Sequence, residues 1–282
     1  MQSPQIIVSG KSCGAEVTGV DLTEPGSFAI SALQQAMKEH LVVVVRGKAL
    51  SSSQLLALGE FLGPLEPQGI SVLATQNAEL RRAHLVVSNQ MPLERPTGSL
   101  GAGADIWQSD LSYRTRPCSI AILHAHEVPS GSRVSFVNQY QAYETLPAEL
   151  KARIQGRMLL HDESLDGNGN LRSDFAAVSD PREATGAQHG IVRTHPDTRR
   201  KALYLGRRRN AWIIGMPLEE SELLLDQLWA HAKQPTLAWT HDWQAGDTLI
   251  WDNRCLLYRH NAVDSGTQRL MYRVQVRGEI PR

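Results

Sequence analysis

Five consecutive residues, Leu41-Val-Val-Val-Val45, make the longest apolar run of the chain. Four of them are β-branched, and an unbroken rather than alternating pattern is what a strand covered on both faces requires. The run predicts a strand inside a central sheet with a layer on each side, and it is far too short to span a bilayer. Neighbouring segments supply such a layer. Ser31 to His40 carries Leu33, Ala36 and Met37 at helical spacing, and Ser51 to Phe61 sets serines ahead of Leu55, Leu56, Leu58 and Phe61, the pattern of capped amphipathic helices. A third helix is predicted from Pro217 to Lys233, with Leu218, Leu223, Leu224, Leu225, Leu228 and Trp229 on one stripe and Glu219 and Glu220 in its first turn, where carboxylates suit the helix dipole. From Thr236 onward the pattern returns to strand. Residues 76–105 and 163–190 are rich in Gly, Pro and polar groups with weak periodicity, and read as long surface loops of the kind that close over a site.

A chain of 282 residues with 41% hydrophobic content can bury a core as one domain, so a single domain over 1–282 is expected. Lys+Arg and Asp+Glu balance at 29 each, which leaves no broad basic face for a phosphate backbone or an anionic membrane. Neither nucleic acid nor membrane is therefore expected as a partner. The opening MQSPQIIVSG lacks the basic start and apolar stretch of a signal peptide. Cys13, Cys118 and Cys255 are odd in number, widely spaced and in no metal-ligand pattern, as suits buried thiols in a reducing, cytoplasmic setting.

The informative segments are scattered but ordered. They are residues 14–22 (GAEVTGVDL), 39–47 (EHLVVVVRG), 61–66 (FLGPLE), Trp107 to Arg114 (WQSDLSYR), Tyr140 to Pro147 (YQAYETLP), Arg193 to Asp197 (RTHPD), Lys201 to Tyr204 (KALY), Gly246 to Arg254 (GDTLIWDNR) and Arg269 to Arg273 (RLMYR). Together they resemble the taurine dioxygenase (TauD/TfdA) family of iron- and 2-oxoglutarate-dependent oxygenases over almost the whole chain. Each piece alone would be a weak signal. The resemblance implies a mostly β fold with flanking helices, a distorted double-stranded β-helix or jelly roll.

In that family a facial triad holds the metal: a His-x-Asp pair on one strand and a distant His, with positions left open for 2-oxoglutarate and oxygen. Residues two apart on a strand point to the same side, so both can reach one ion. Here the His-x-Asp place reads Gln108-Ser109-Asp110, and the distant His, three intervening residues past WDNR, is Tyr258. Both metal-binding histidines are replaced and Asp110 alone is kept. If a four-ligand site is worth about 10–16 kcal/mol, one imidazole is worth roughly 3, and losing two weakens the site by about four orders of magnitude. The resemblance so read implies no cofactor and no iron, with Gln108, Asp110 and Tyr258 as vestigial positions. 2-Oxoglutarate or another small carboxylate stays open as a ligand. Two routes would restore a metal: His260, two residues past Tyr258, by a bulge or register shift, or the His124-Ala125-His126 pair.

The co-substrate contacts are only partly changed. The family's Arg eleven residues after the distal His, which pairs with the far carboxylate of 2-oxoglutarate, is matched by Arg269, and Arg273 follows four residues on, on the same strand face. Two inward guanidiniums would form a carboxylate clamp; alternatively they pair with Asp110 or Asp252. Where the family usually reads Gly-Gly-Asp-Thr, this chain has Gly131-Ser132-Arg133-Val134, and Val134 cannot donate the threonine's hydrogen bond.

Three functional readings follow. In the first, an enzyme works without iron on a small amino or oxo acid in a biosynthetic pathway, with Asp110 or Tyr258 as acid or base, assisted by Gln108. In the second, a non-catalytic relative binds a small acid or supports a partner subunit, either another copy of itself or a homologous chain. In the third, an active iron and 2-oxoglutarate dioxygenase has an unusual metal site. A pKa of Asp110 or Tyr258 displaced toward neutrality would favour the first. His195 reads as scaffolding of its loop.

Overall fold

The computed structural model describes residues 3–66, 85–88, 106–166, 169–261 and 269–282. In chain order these form β1 (Gln5–Val8), β2 (Ala15–Thr18), α1 (Ser27–His40), β3 (Val42–Val45), α2 (Ser52–Leu62), β4 (Leu85–Ser88), β5 (Cys118–Glu127) and β6 (Arg133–Asn138). There follow α3 (Gln139–Glu144), α4 (Ala148–Ile154), β7 (Met158–Asp162), β8 (Gly186–Gly190), β9 (Val192–Thr194), β10 (Lys201–Leu203) and β11 (Trp212–Ile213). The chain closes with α5 (Leu218–Ala232), β12 (Ala238–Asp242), β13 (Thr248–Asp252), β14 (Leu256–His260) and β15 (Leu270–Arg277).

The apolar run behaves as its composition dictates. All four valines of β3 are buried, and the strand lies between β2, parallel to it, and β13, antiparallel. Val42 and Val44 face a core shared with Phe136, Leu249 and Trp251. Val43 and Val45 face the opposite way, into a core with Leu33 and Met37 of α1 and Leu55 and Leu58 of α2. Leu41 falls outside the strand: it caps α1 in the left-handed region at φ 67° while its N–H donates to the Met37 carbonyl.

Among the described residues the large sheet has the order β1-β2-β3-β13-β5-β15-β4, and a smaller one the order β12-β6-β14. Leu123, Leu249, Trp251 and Met271 of the first and Phe136, Leu256 and Tyr258 of the second share one core. The Phe136 ring meets Trp251 edge-on at 5.4 Å, and burying one such ring fully is worth about 1.5–3 kcal/mol. Two sheets, antiparallel apart from the β2–β3 pair, closed face to face in this way with α1 and α2 outside, form the expected jelly roll. The remaining strands, with α3 to α5, enclose a third core around Leu224, Leu228 and Ile213. Among the described residues no helix is long and apolar enough to cross a membrane.

Two loop expectations need correction. Within 163–190 the chain forms a short 3-10 helix at Pro181–Glu183 and the strand β8, paired antiparallel with β7. No apolar alternation marks β8, because its sequence GAQHG is held by backbone pairing and close approach: a Cβ on Gly186 would stand 1.8 Å from the His161 carbonyl oxygen. Within 76–105, Leu85–Ser88 is a strand against β15; the rest lies outside the described residues.

At the start of α2 the Ser51 hydroxyl accepts from the Gln54 N–H at 3.3 Å, and the Gln54 side-chain oxygen accepts from the Ser51 N–H at 2.9 Å. This reciprocal capping box satisfies two helix-end donors. Ser51→Ala is expected to cost about 1 kcal/mol, or a drop of roughly 2–4 °C in the thermal midpoint. Ser51→Asp should keep the wild-type value; an unchanged midpoint in the alanine variant would show that the cap contributes nothing.

Candidate functional site

The site is built where the Trp107–Arg114 segment meets β14. Gln108 and Tyr258 form an isolated antiparallel bridge, each N–H donating to the other's carbonyl at 2.9 Å. That bridge sets the two side chains together, and the Gln108 amide donates to the Tyr258 hydroxyl at 3.1 Å. The strand geometry expected for residues 108–110 is not found beyond this one bridge. Asp110 enters a turn, and Leu111 after it adopts φ 54°. What aims Asp110 inward is Asn253 of the WDNR motif rather than the pleat. Its side-chain oxygen accepts from the Asp110 N–H at 2.9 Å, and its NH2 donates to the carbonyls of Asp110 at 2.9 Å and Cys118 at 3.0 Å.

Asp110 is buried, and both its oxygens are engaged. Oδ1 accepts from the Tyr258 hydroxyl at 2.5 Å and from Arg273 Nη1 at 3.1 Å; Oδ2 accepts from Gln275 Nε2 at 2.7 Å and from the same Arg273 nitrogen at 3.2 Å. Arg273 Nη1 also donates to the Tyr258 oxygen at 3.2 Å, so the phenol gives one hydrogen bond and takes two, its full capacity. On the far side Gln108 Oε1 accepts from Arg207 Nε at 3.0 Å, and Arg207 Nη1 donates to the Leu165 carbonyl at 2.8 Å.

Electrostatics reinforce this arrangement. Burial, and then the Asp110 carboxylate, push the Tyr258 phenol well above its ordinary range. Burial pulls on the Arg273 guanidinium, but Asp110 overcomes it and holds the cation charged. Tyr258 is thus displaced away from neutrality, opposite to what a tuned acid or base requires. It is a donor that fixes Asp110, and the acid/base role expected of Tyr258 loses its support.

The expected carboxylate pairing divides between the two arginines. Arg273 takes Asp110, whereas Asp252 is held by Arg254 at 2.6 Å and by His195 at 2.9 Å. His195 Nδ1 accepts from the N–H groups of Asp197 and Thr198, so its Nε2–H donates to Asp252 and the residue is scaffolding, as expected. Arg269 is buried and immediately precedes β15; the irregularity at this end lies in β5, where Glu127 faces Leu270 and Ala125 faces Met271, so β15 itself carries no extra residue. Both arginines flank His260. Burial, and then Arg269 and Arg273, depress the His260 imidazole to about 3. Val134, buried in β6, is the cross-strand partner of His260 and offers only methyl groups to it.

Neither route to a restored metal site is realised among the described residues. β14 pairs with β6 in unbroken register, so His260 is not shifted into the Tyr258 position; its ring stands T-shaped to Tyr258 at 5.6 Å. His124 is a structural residue: Nε2 accepts from the Leu50 N–H at 3.0 Å, which leaves Nδ1–H to donate to the Thr248 hydroxyl at 2.9 Å. His126 is exposed against the edge of Tyr272.

Three residues of the cluster were not foreseen. Gln275 was legible in principle, since it lies two residues beyond Arg273 on one strand and so shares its face. Asn253 lay inside a quoted motif as a plain polar residue. Arg207 belongs to the run Gly206-Arg-Arg-Arg-Asn210, which has the look of a solvated surface charge patch.

A jelly roll with this cluster between its sheets, at the end of the WDNR strand, defines the 2-oxoglutarate dioxygenase class of site. The model of the taurine catabolism dioxygenase TauD, TfdA family matches residues 7–275, and the chain belongs to that family. It is 31% identical over 276 residues to an (S)-phenoxypropionate/α-ketoglutarate dioxygenase of Sphingobium herbicidovorans, covering 94% of this chain and 92% of that one. It is 29% identical to an α-ketoglutarate-dependent 2,4-dichlorophenoxyacetate dioxygenase of Cupriavidus pinatubonensis, over 92% of each chain. Among solved structures, AAD-2 in complex with Mn(II) and N-oxalylglycine superposes with a TM-score of 0.80 at 27% identity, covering 99% of both chains. A taurine dioxygenase from Burkholderia xenovorans gives 0.79 at 26%, covering 99% of this chain and 91% of that one.

These relatives overturn the expectation of a chain without cofactor. Relatives matching nearly end to end are α-ketoglutarate dioxygenases, and a solved one carries a divalent metal. The weak step is the count of lost imidazoles, which weighs the metal through side-chain type alone; 2-oxoglutarate stayed open as a ligand through Arg269. The described residues nevertheless do not fit the metal as they stand. No group of three or more His, Cys, Asp or Glu that could hold one occurs among them, and Arg273, Gln275 and Tyr258 already take the acceptor positions of Asp110. A metal at Asp110 would have to displace those donors, and no catalytic step is drawn through it.

Proposed function

We propose that this chain acts, within its dioxygenase family and through an unusual site, on a small carboxylate-bearing acid, with 2-oxoglutarate or an acid of similar size bound against Arg269. The observation that carries this reading is the buried cationic wall formed by Arg269 and Arg273 around His260, whose imidazole is kept neutral beside them. Burial is the main reason the ring stays neutral, and the two guanidiniums add to that effect; their own positive charge is what attracts an anion. Arg269 would hold the co-substrate's far carboxylate, and in this class 2-oxoglutarate is the two-electron reductant, oxidised to succinate and carbon dioxide, with dioxygen as the oxidant. Arg273, anchored by Asp110 and Tyr258, keeps the wall in place. Relatives that by name act on phenoxypropionate and 2,4-dichlorophenoxyacetate, both carboxylates, support an acid as substrate. A relative named pentalenolactone F synthase is in keeping with a role in biosynthesis.

Calorimetric titration with 2-oxoglutarate and with N-oxalylglycine tests the reading. Arg269→Ala is expected to abolish binding, and Arg269→Lys to weaken it about tenfold, because a point charge replaces a two-pronged donor. Equal affinity in the alanine variant would remove Arg269 from the site.

A further inference from the structure

Arg207, which holds Gln108, is itself oddly placed. Its guanidinium carbon stands 5.8 Å from the centroid of the Tyr113 ring, and that of Arg172 stands 4.6 Å from the same ring. Tyr113 is buried and lies three residues past Asp110. Neither arginine forms an ion pair with a carboxylate among the described residues, and the hydrogen-bond acceptors of Arg207 are neutral, the Gln108 amide and the Leu165 carbonyl. In the same Arg-rich run Arg208 does find acids, pairing with both Glu222 and Asp226.

Two guanidiniums over one ring repel each other. Cation–π attraction offsets part of this, about 0.5–2 kcal/mol per contact, but it leaves the charge in place. Burial, the largest influence, already disfavours the charged form of Arg207, and Arg172 adds to that effect. An arrangement that assembles like charges on an apolar base beside a buried cluster is stabilised by an anion between them, and the planar fork of arginine suits a carboxylate.

We propose that Arg172 and Arg207, seated on Tyr113, form a second anion subsite that receives the carboxylate of the primary substrate, separate from the co-substrate position at Arg269. This rests on the reading of the chain as an acid-binding dioxygenase relative and adds which residues take which acid. The subsite lies on the Gln108 side of the cluster and the Arg269–Arg273 wall on the other, so two acids can be held at once with Asp110 and Tyr258 between them. A substrate of this class carries its carboxylate at one end and offers the remainder of the molecule to the cluster.

The experiment measures the thermal midpoint and calorimetric binding of the full chain with phenoxyacetate, benzoate and succinate as substrate-side probes and 2-oxoglutarate as the co-substrate probe, with ionic strength matched by sodium chloride. At least one of the three substrate-side acids should stabilise the wild type. Arg172→Gln and Arg207→Lys should each weaken that acid about tenfold or more while leaving 2-oxoglutarate within about twofold. Arg172 makes no described side-chain hydrogen bond, so its variant tests the subsite should the Arg207 variant disturb the fold. Retention of the acid response in Arg172→Gln, or no response to any of the three acids in the wild type, overturns the proposal. Loss of the 2-oxoglutarate response in Arg269→Ala, with the acid response kept, shows that the co-substrate position and the subsite are distinct. If 2-oxoglutarate fails to bind the wild type while the acid response depends on Arg172, the co-substrate reading falls and the subsite stands.

Discussion

Asp110→Ala is expected to lower the thermal midpoint by on the order of 10 °C, combining a loss of about 3–5 kcal/mol for breaking a buried ion pair with roughly 2–4 °C per kcal/mol in a chain of this size. The cause is the orphaned partner more than the lost attraction. Arg273 would keep a buried charge with no carboxylate in reach, and Gln275 and Tyr258 would each lose an acceptor. Asp110→Leu combined with Arg273→Met should therefore be more stable than Asp110→Ala alone, since it removes both charges and refills the space. Scanning calorimetry of the three proteins decides the matter. A shift of less than about 1 °C in Asp110→Ala would mean that water reaches the pair and that Arg273 is not held as described.

Acid should destabilise the fold well before its carboxylates titrate. Burial is the main cause that holds the imidazoles of His124 and His260 down, to about 4 and about 3, and it lowers His161 well below the ordinary value and His189 as well. An unfolded histidine titrates near 6.5. Each folded imidazole stays neutral below that point while its unfolded counterpart takes up a proton. The stability these residues contribute is thus complete above about pH 6.5 and declines as pH falls toward 4, by up to about 1.4 kcal/mol per pH unit for each group. Asp252 acts in the same direction at lower pH. Burial pushes its carboxyl up, but Arg254 and His195 prevail and hold it far below the ordinary value, so its contribution is lost only as pH drops below the unfolded carboxyl value near 4. Urea midpoints between pH 7 and 4.5 isolate the histidines. His124→Gln, which retains an acceptor for the Leu50 N–H, should flatten the slope measurably, and an unaltered slope would mean that His124 titrates normally in the folded protein.

The frame of the molecule was legible because burial on two faces leaves a compositional mark. Val42 to Val45 could be read as an interior strand from their identities alone, and the two serine-led helices fell on its outer side as their spacing requires. The positions of Gln108, Asp110 and Tyr258 were legible too, through motif resemblance, and in the structure the Tyr258 hydroxyl hydrogen-bonds to both of the others. What could not be read was who satisfies whom. Pairing of Arg273 with Asp110, rather than with a ligand or with Asp252, is a matter of three-dimensional competition among several acids and bases. β8 was missed for a related reason: its glycines serve backbone proximity, which no hydrophobic period records. The expectation of no iron came from judging the metal by side-chain types at two positions, while the arginines had already kept 2-oxoglutarate open as a ligand.

Asn253 holds the backbone N–H and carbonyl of Asp110, accepts from the Ser109 hydroxyl, and forms no hydrogen bond with the side chains of Gln108, Asp110 or Tyr258. An anchor of that kind is indifferent to what hangs from the loop it holds. Substitutions at 108 or 258 can accumulate over generations without altering the path of the loop, whereas a change at 253 would release the whole segment at once. For a combinatorial library on this scaffold, 108, 207 and 258 are the places to diversify, and 253 is the place to leave alone.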